Sequence, residues 1–125
     1  MKKFLLPFLF AGLLAIGASG LSAQTDATAP KSVIHIVTVK WKEGAKPEQI
    51  QAALDGAKKL PAQFKGITRV WTRAIKVQGD KTHVIVMEFA DEKALQDYSG
   101  SPAQQEWYKA YMAVREESTT FDVTN

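Results

Sequence analysis

No cysteine occurs among the 125 residues. Disulfides, a thiol nucleophile, thiolate metal ligation and a lipid-modified cysteine terminus are therefore excluded. Histidine is scarce: His35 and His83 are the two in the chain. A metal would need a third ligand of another type beside them, and none stands nearby in the sequence, so no metal and no cofactor is expected. No glycine-rich phosphate loop and no nucleophile elbow occur. Internal repeats and low-complexity tracts are also missing. The net charge of +3 is small, and Lys2 and Lys3 supply two of those charges. Beyond them no basic run remains, which argues against a nucleic-acid partner.

Charge is missing altogether between Lys3 and Asp26. After the two lysines comes an apolar stretch from Phe4 to Ile16, then the small-residue exit Ala18-Ser19-Gly20-Leu21-Ser22-Ala23. That pattern is expected to be a signal peptide over 1–23, cleaved after Ala23, with Gly20 as the second choice. An uncleaved membrane anchor is the competing reading, since the uncharged stretch could span a bilayer. Residues 24–31 are polar, with Pro30, and apolar only at alanines, which reads as a flexible tether. Residues 32–125 suffice for one modest domain. The expected location is periplasmic or secreted, with no stable membrane association once the leader is removed.

Within the domain, residues 33–41 are rich in β-branched side chains and read as strand one. Pro47 and Glu48 suit the first turn of a helix. Ile50, Ala53, Leu54 and Ala57 then repeat on one helical face, and Pro61 and Gly66 bracket the exit. Strand two is predicted over about 67–77, and Gln78-Gly79-Asp80-Lys81 turns the chain into strand three at 82–89. Asp91 can cap a second helix that stops near Gly100. Ser101-Pro102-Ala103-Gln104 has the form of a capping box opening a third helical piece, with Trp107, Tyr108, Tyr111, Met112 and Val114 on it. Strand four is predicted at about 119–124. The order β-α-β-β-α-β is an α+β, ferredoxin-like unit.

Alternation divides the strands into faces. His35, Val37, Val39 and Trp41 oppose Ile34, Ile36, Thr38 and Lys40; His83, Ile85, Met87 and Phe89 oppose Thr82, Val84, Val86 and Glu88. Both faces are apolar in the middle, yet two helices cover only one face of four strands. A symmetric homodimer with sheets packed face to face would supply the missing layer. A larger hetero-complex is the alternative. On strand two, Arg69, Trp71 and Arg73 share a face that suits either a dimer edge or a carboxylate or aromatic ligand.

The two histidines fall on one face of strands one and three. With those strands taken as adjacent and parallel, about 4.8 Å apart, the imidazoles would sit side by side under the helices. They could do acid–base work there, or simply bond to neighbouring groups. A metal site using Glu88 is disfavoured, because alternation turns Glu88 away from His83. Tyr98 follows Ala94 and Leu95 at helical spacing and reads either as core or as a polar group at a wet edge. Gln104 reads first as part of the capping box, and Trp107, Tyr111 and Val114 as a packed helix face.

Three stretches together carry a family resemblance: Ile34-His35-Ile36-Val37-Thr38-Val39-Lys40-Trp41-Lys42-Glu43-Gly44, Thr82-His83-Val84-Ile85-Val86-Met87-Glu88-Phe89 with Asp91-Glu92-Lys93-Ala94-Leu95-Gln96-Asp97-Tyr98, and Ser101-Pro102-Ala103-Gln104. They resemble the stress-responsive dimeric α/β-barrel (Dabb) domain over about 33–124. The resemblance implies a dimeric α/β barrel with an antiparallel sheet. In the plant cyclase of that family, a tyrosine near the end of the second helix and a histidine two residues after the proline are catalytic. Tyr98 matches the tyrosine, and His35 and His83 match two cavity-lining histidines. The catalytic histidine is replaced by Gln104, and a tyrosine of helix one by Ala57. An amide is no base at neutral pH.

The expected function is thus an exported homodimer binding a small, largely apolar or aromatic molecule in a helix-covered cavity. His35, Val37, His83, Ile85, Tyr98, Gln104 and Trp107 are the candidate ligand-binding residues. The alternative is a cofactor-independent enzyme, cyclase, lyase or monooxygenase-like, with His35, His83 and Tyr98 as candidate catalytic groups. N-terminal sequencing of protein recovered from the periplasm or medium is expected to start at Gln24. A full-length, membrane-extracted product would instead mean a retained anchor.

Overall fold

In the computed structural model, β1 (Val33–Trp41), α1 (Pro47–Gln63), β2 (Ile67–Trp71), β3 (His83–Phe89), α2 (Glu92–Tyr98), α3 (Pro102–Val114) and β4 (Arg115–Thr124) follow in that order. The structure describes residues 31–125. The signal peptide expected over 1–23, and the expected tether apart from Lys31, lie outside the described residues. The four strands form one open sheet in the order β2-β3-β1-β4, and every pairing is antiparallel. This is the expected ferredoxin-like arrangement, with the second helical region split into α2 and α3.

One expectation about the sheet is overturned: β1 and β3 are neighbours but antiparallel. The physical reason lies in the connections. α1 carries the chain back along the sheet, so β1 and β2 run the same way, and the reversal between β2 and β3 then sets β3 against β1.

The side-chain alternation survives intact. Val33, Val37, Val39, Ile85, Met87 and Phe89 are buried beneath the helices, where Leu60 and Ala57 of α1 and Trp107 and Tyr111 of α3 meet them. Gly66 is needed at the α1 exit, since a Cβ there would come within 2.7 Å of Phe64 and 2.8 Å of Ala94. Gly100 takes a left-handed φ of 77°, which lets α2 end and α3 begin without a break in packing.

α1 ends at Gln63, between Pro61 in its last turn and Gly66, as expected, and the Phe64 N–H closes the helix on the Leu60 carbonyl at 2.8 Å. Two element boundaries differ from expectation. β2 stops at Trp71 instead of near residue 77, because residues 72–82 leave the sheet. β4 starts at Arg115, directly after α3, and follows β1 along its whole length with one irregularity between Lys40 and Trp41.

The core predicts its own sensitivity. Ile85→Ala, at a fully buried position, is expected to lower unfolding stability by about 2–5 kcal/mol, as large-to-small core changes do. Urea denaturation checks this, and a loss below about 1 kcal/mol would mean that the helices do not close on the sheet as described.

Candidate functional site

Antiparallel pairing separates the two histidines. Val39, not His35, lies opposite His83, and His35 lies opposite Met87. Four residues along β1 then put the rings about 13 Å apart along the strand, at about 3.3 Å per residue. They share the helix-covered face, as alternation required, but they are not side by side. Each sits in its own cluster at one end of the sheet.

At the first end, His35 Nδ1 is 2.6 Å from Asp122 Oδ1, across the β1–β4 ladder. A carboxylate only accepts, so Nδ1 carries a proton and donates it, and in the neutral ring Nε2 keeps a free lone pair. The ring edge meets Phe89 at 5.9 Å between centroids, and Phe89 meets Tyr98 at 5.3 Å. Phe64 closes on the other side of Tyr98 at 5.5 Å. The Tyr98 hydroxyl is buried without a hydrogen-bond partner among the described residues. Burial, with a smaller contribution from Tyr108, pushes its pKa well above the ordinary phenol range, so it stays protonated at neutral pH. A small cavity of about 230 Å³ opens nearby beside Val33, Leu95 and Asp122.

At the second end, the Trp41 indole N–H donates to His83 Nδ1 at 2.8 Å. His83 Nδ1 is therefore unprotonated, and Nε2 carries the proton. The two histidines hold opposite tautomers: one offers a lone pair from Nε2, the other a donor. Trp41 in turn packs edge-on against Tyr111, which stacks on Trp107 with centroids 4.4 Å apart. Trp107 is itself committed, since its indole N–H donates to the Ala53 carbonyl at 2.8 Å. Val37, Ile85 and Trp107 are thus core side chains here.

Gln104 fulfils the capping role. Its backbone N–H donates to Ser101 Oγ at 3.2 Å, and its side-chain oxygen accepts from the Gly100 N–H at 2.6 Å, one residue before the cap. Its amide nitrogen donates to the Tyr108 hydroxyl at 3.2 Å. Ala57 is buried in the core. Glu88 faces away from both histidines, as expected, and pairs with Arg69 at 2.8 Å. Hydrogen bonds from Arg69 and Thr68 hold its carboxyl below the usual range. Arg69 also lies 5.3 Å from the Trp71 ring. Among the described residues no group of three or more acidic or imidazole side chains is disposed to hold a metal.

His35 and Tyr98 both lie against Phe89, whereas His83 does not stand beside His35 as the sequence reading expected. That reading missed Asp122 as the partner of His35 and Trp41 as the donor to His83. Both follow from register: Asp122 lies opposite His35, and Trp41 continues the same face of β1 past Val39.

The His83 cluster has a titratable consequence. Burial holds the imidazole below the ordinary histidine value. Because the folded pKa is the lower one, the unfolded chain takes up the proton first. The contribution of neutral His83 to stability is full above the unfolded value of about 6.5 and is lost as pH falls through the folded value. Trp41→Phe removes the donor that favours the neutral ring, so it should raise the His83 pKa toward the ordinary value. NMR titration of the two imidazoles measures this; a wild-type His83 that titrates above about 6.5 would contradict it.

A sequence profile described as the stress responsive A/B barrel domain matches residues 33–125. Several solved structures share the fold. A hydroxynitrile lyase from Passiflora edulis superposes with a TM-score of 0.69 at 18% identity, covering 77% of this chain and 94% of that one. A Dabb family protein with a ferredoxin-like fold from Mesorhizobium loti gives 0.64 at 23% identity, covering 75% and 96%. A dimeric ferredoxin-like protein of unknown function from Bacteroides fragilis gives 0.61 at 17%, covering 76% and 97%. No curated protein matches the sequence closely enough to count as a relative. The profile match spans nearly all the described residues, and the chain belongs to the stress responsive A/B barrel domain family.

Proposed function

We propose that the chain works as an exported homodimer that binds a small, largely apolar molecule between its helices and its sheet, next to Tyr98. The observation that carries the binding reading is the Tyr98 hydroxyl, buried without a partner in an apolar wall that includes Phe64 and Phe89. A buried, unsatisfied hydroxyl costs about 1–3 kcal/mol. A ligand with one polar atom and an apolar body would relieve that cost. His35 stands across Phe89 and supplies a second polar group.

The dimer reading is supported by the uncovered side of the sheet. Register lines up Trp71, Val86, Ile36 and Phe121 as one row across all four strands, with Ile34 and Val123 beside it. Trp71, Phe121 and Val123 are 43%, 53% and 54% exposed in the single chain. A contiguous apolar patch of this kind favours association, and a two-fold axis lets one such face cover another. The Bacteroides fragilis structure, described as dimeric, agrees with this reading.

A second reading, a cofactor-independent enzyme, is favoured by one observation, the His35–Asp122 pair. An imidazole oriented by a carboxylate keeps a basic Nε2, and proton abstraction of the lyase or cyclase kind needs such a base. Against cyclase chemistry stand the amide of Gln104, spent on capping, and the distance of His83 from the Tyr98 cluster.

A native mass spectrum of protein purified from its own cells tests both parts. The expected result is a dimer with a retained small molecule, and Tyr98→Phe should lose most of that molecule while staying dimeric. Ile36→Glu should give monomer or insoluble protein by light scattering. A monomeric wild type sinks the dimer. A ligand retained equally by Tyr98→Phe sinks the binding site, and turnover of the retained molecule abolished by His35→Ala would favour the enzyme.

A further inference from the structure

Residues 72–82 leave the sheet after β2 and return to it at β3, and they stand off the middle of α1. Between the segment and the helix lies a cavity of about 600 Å³. That volume falls in the range of small-molecule sites. The cavity is separate from the Tyr98 cluster: it opens at the His83 end of the sheet.

Its lining is one-sided in charge. Lys58 comes from α1, and Arg73, Lys76 and Lys81 come from the segment, while no carboxylate among the described residues lines the cavity. Two of the four cations are partly engaged outside it. Lys58 is 3.5 Å from Asp55, and Lys81 is 3.2 Å from both Asp80 and Glu117. The side chains of Arg73 and Lys76 make no hydrogen bond or ion pair with any described residue. His83 completes the polar wall, and the Trp41 bond to Nδ1 leaves its Nε2–H as a neutral donor. Leu54, Ile75 and Val77 add apolar surface, with Ile75 fully exposed.

Cations gathered around one concavity repel each other, and an anion between them turns repulsion into attraction. The guanidinium of Arg73 presents paired donors that match the two oxygens of a carboxylate or phosphate. An isolated basic patch on a convex surface would attract only diffuse counterions. Here concavity, a neutral donor and apolar side chains combine with the charge. We propose that this cavity binds a small organic anion, a carboxylate or phosphate attached to a modest apolar body, with Arg73 and Lys76 as its principal contacts. The site is built within one chain and depends neither on the dimer nor on a ligand at Tyr98.

The test is an amide NMR titration of the full-length mature protein with phenyl phosphate and, separately, benzoate. Shifts should concentrate in residues 51–58 and 72–83 and saturate. Arg73→Ala and Lys76→Ala should each weaken binding roughly tenfold, the usual loss for one charge-assisted contact. Both should keep the wild-type melting temperature, since neither side chain holds the fold together. Lys65→Ala, which removes the same charge outside the cavity, should leave affinity unchanged. Binding of either probe with this pattern supports the site and shows which anion it prefers. Shifts spread over lysines across the surface, equal weakening by Lys65→Ala, or no saturation with either probe would overturn it.

Discussion

β1 pairs antiparallel with β3 on one side and with β4 on the other, and most of the molecule depends on these two ladders. The ladder registers decide which side chains face the helices. They carry Val37, Val39, Ile85 and Met87 into the core and Ile34, Ile36, Val84 and Val86 to the other side. A slip of one residue would exchange the two sets, so burial of one face pins the register of both strands. The helices close onto the pinned face through small and large partners in alternation. Gly56 of α1 allows Trp107 of α3 to approach, since a Cβ there would come within 3.0 Å of the indole, and the indole N–H reaches the Ala53 carbonyl.

The same pairing distributes the polar groups. Because β1 and β3 run in opposite directions, a histidine near the start of each strand ends up at opposite ends of the sheet. Each then finds a different neighbour and is fixed in a different tautomer, His35 by a carboxylate and His83 by an indole. One ring is arranged to keep a lone pair, the other to keep a donor. The two rings therefore do not sit side by side.

The electrostatics follow the division between sheet faces and sheet ends. On the uncovered face Arg69 pairs with Glu88 beside the apolar row, so that side carries charge in matched form. Lys40 is shared between Asp80 and Glu116 in the same manner. The segment after β2 differs, with the side chains of Arg73 and Lys76 making no ion pair among the described residues next to a concavity. Surface ion pairs contribute little to stability, so where charges are left unmatched says more about ligands than about folding.

Much of this protein was legible in residue types. β-branched alternation marked β1 and β3, and proline, serine and aspartate marked the helix starts. The capping role of Gln104 and the apolar second face of the sheet were readable as well. Those features are local, set by backbone sterics and by the two- and 3.6-residue periods, and so a single strand or helix reveals them. The partners of each histidine could not be read this way. Strand direction and register depend on how connections cross the sheet, and Asp122 stands 87 positions from His35. The cationic cavity was equally hidden, because residues 72–77 were expected to continue a strand. Whether that segment pairs with β3 or leaves it is a competition between ladder hydrogen bonds and packing across the whole sheet edge. Only the tertiary structure decides that competition, since its terms join residues that the sequence keeps apart.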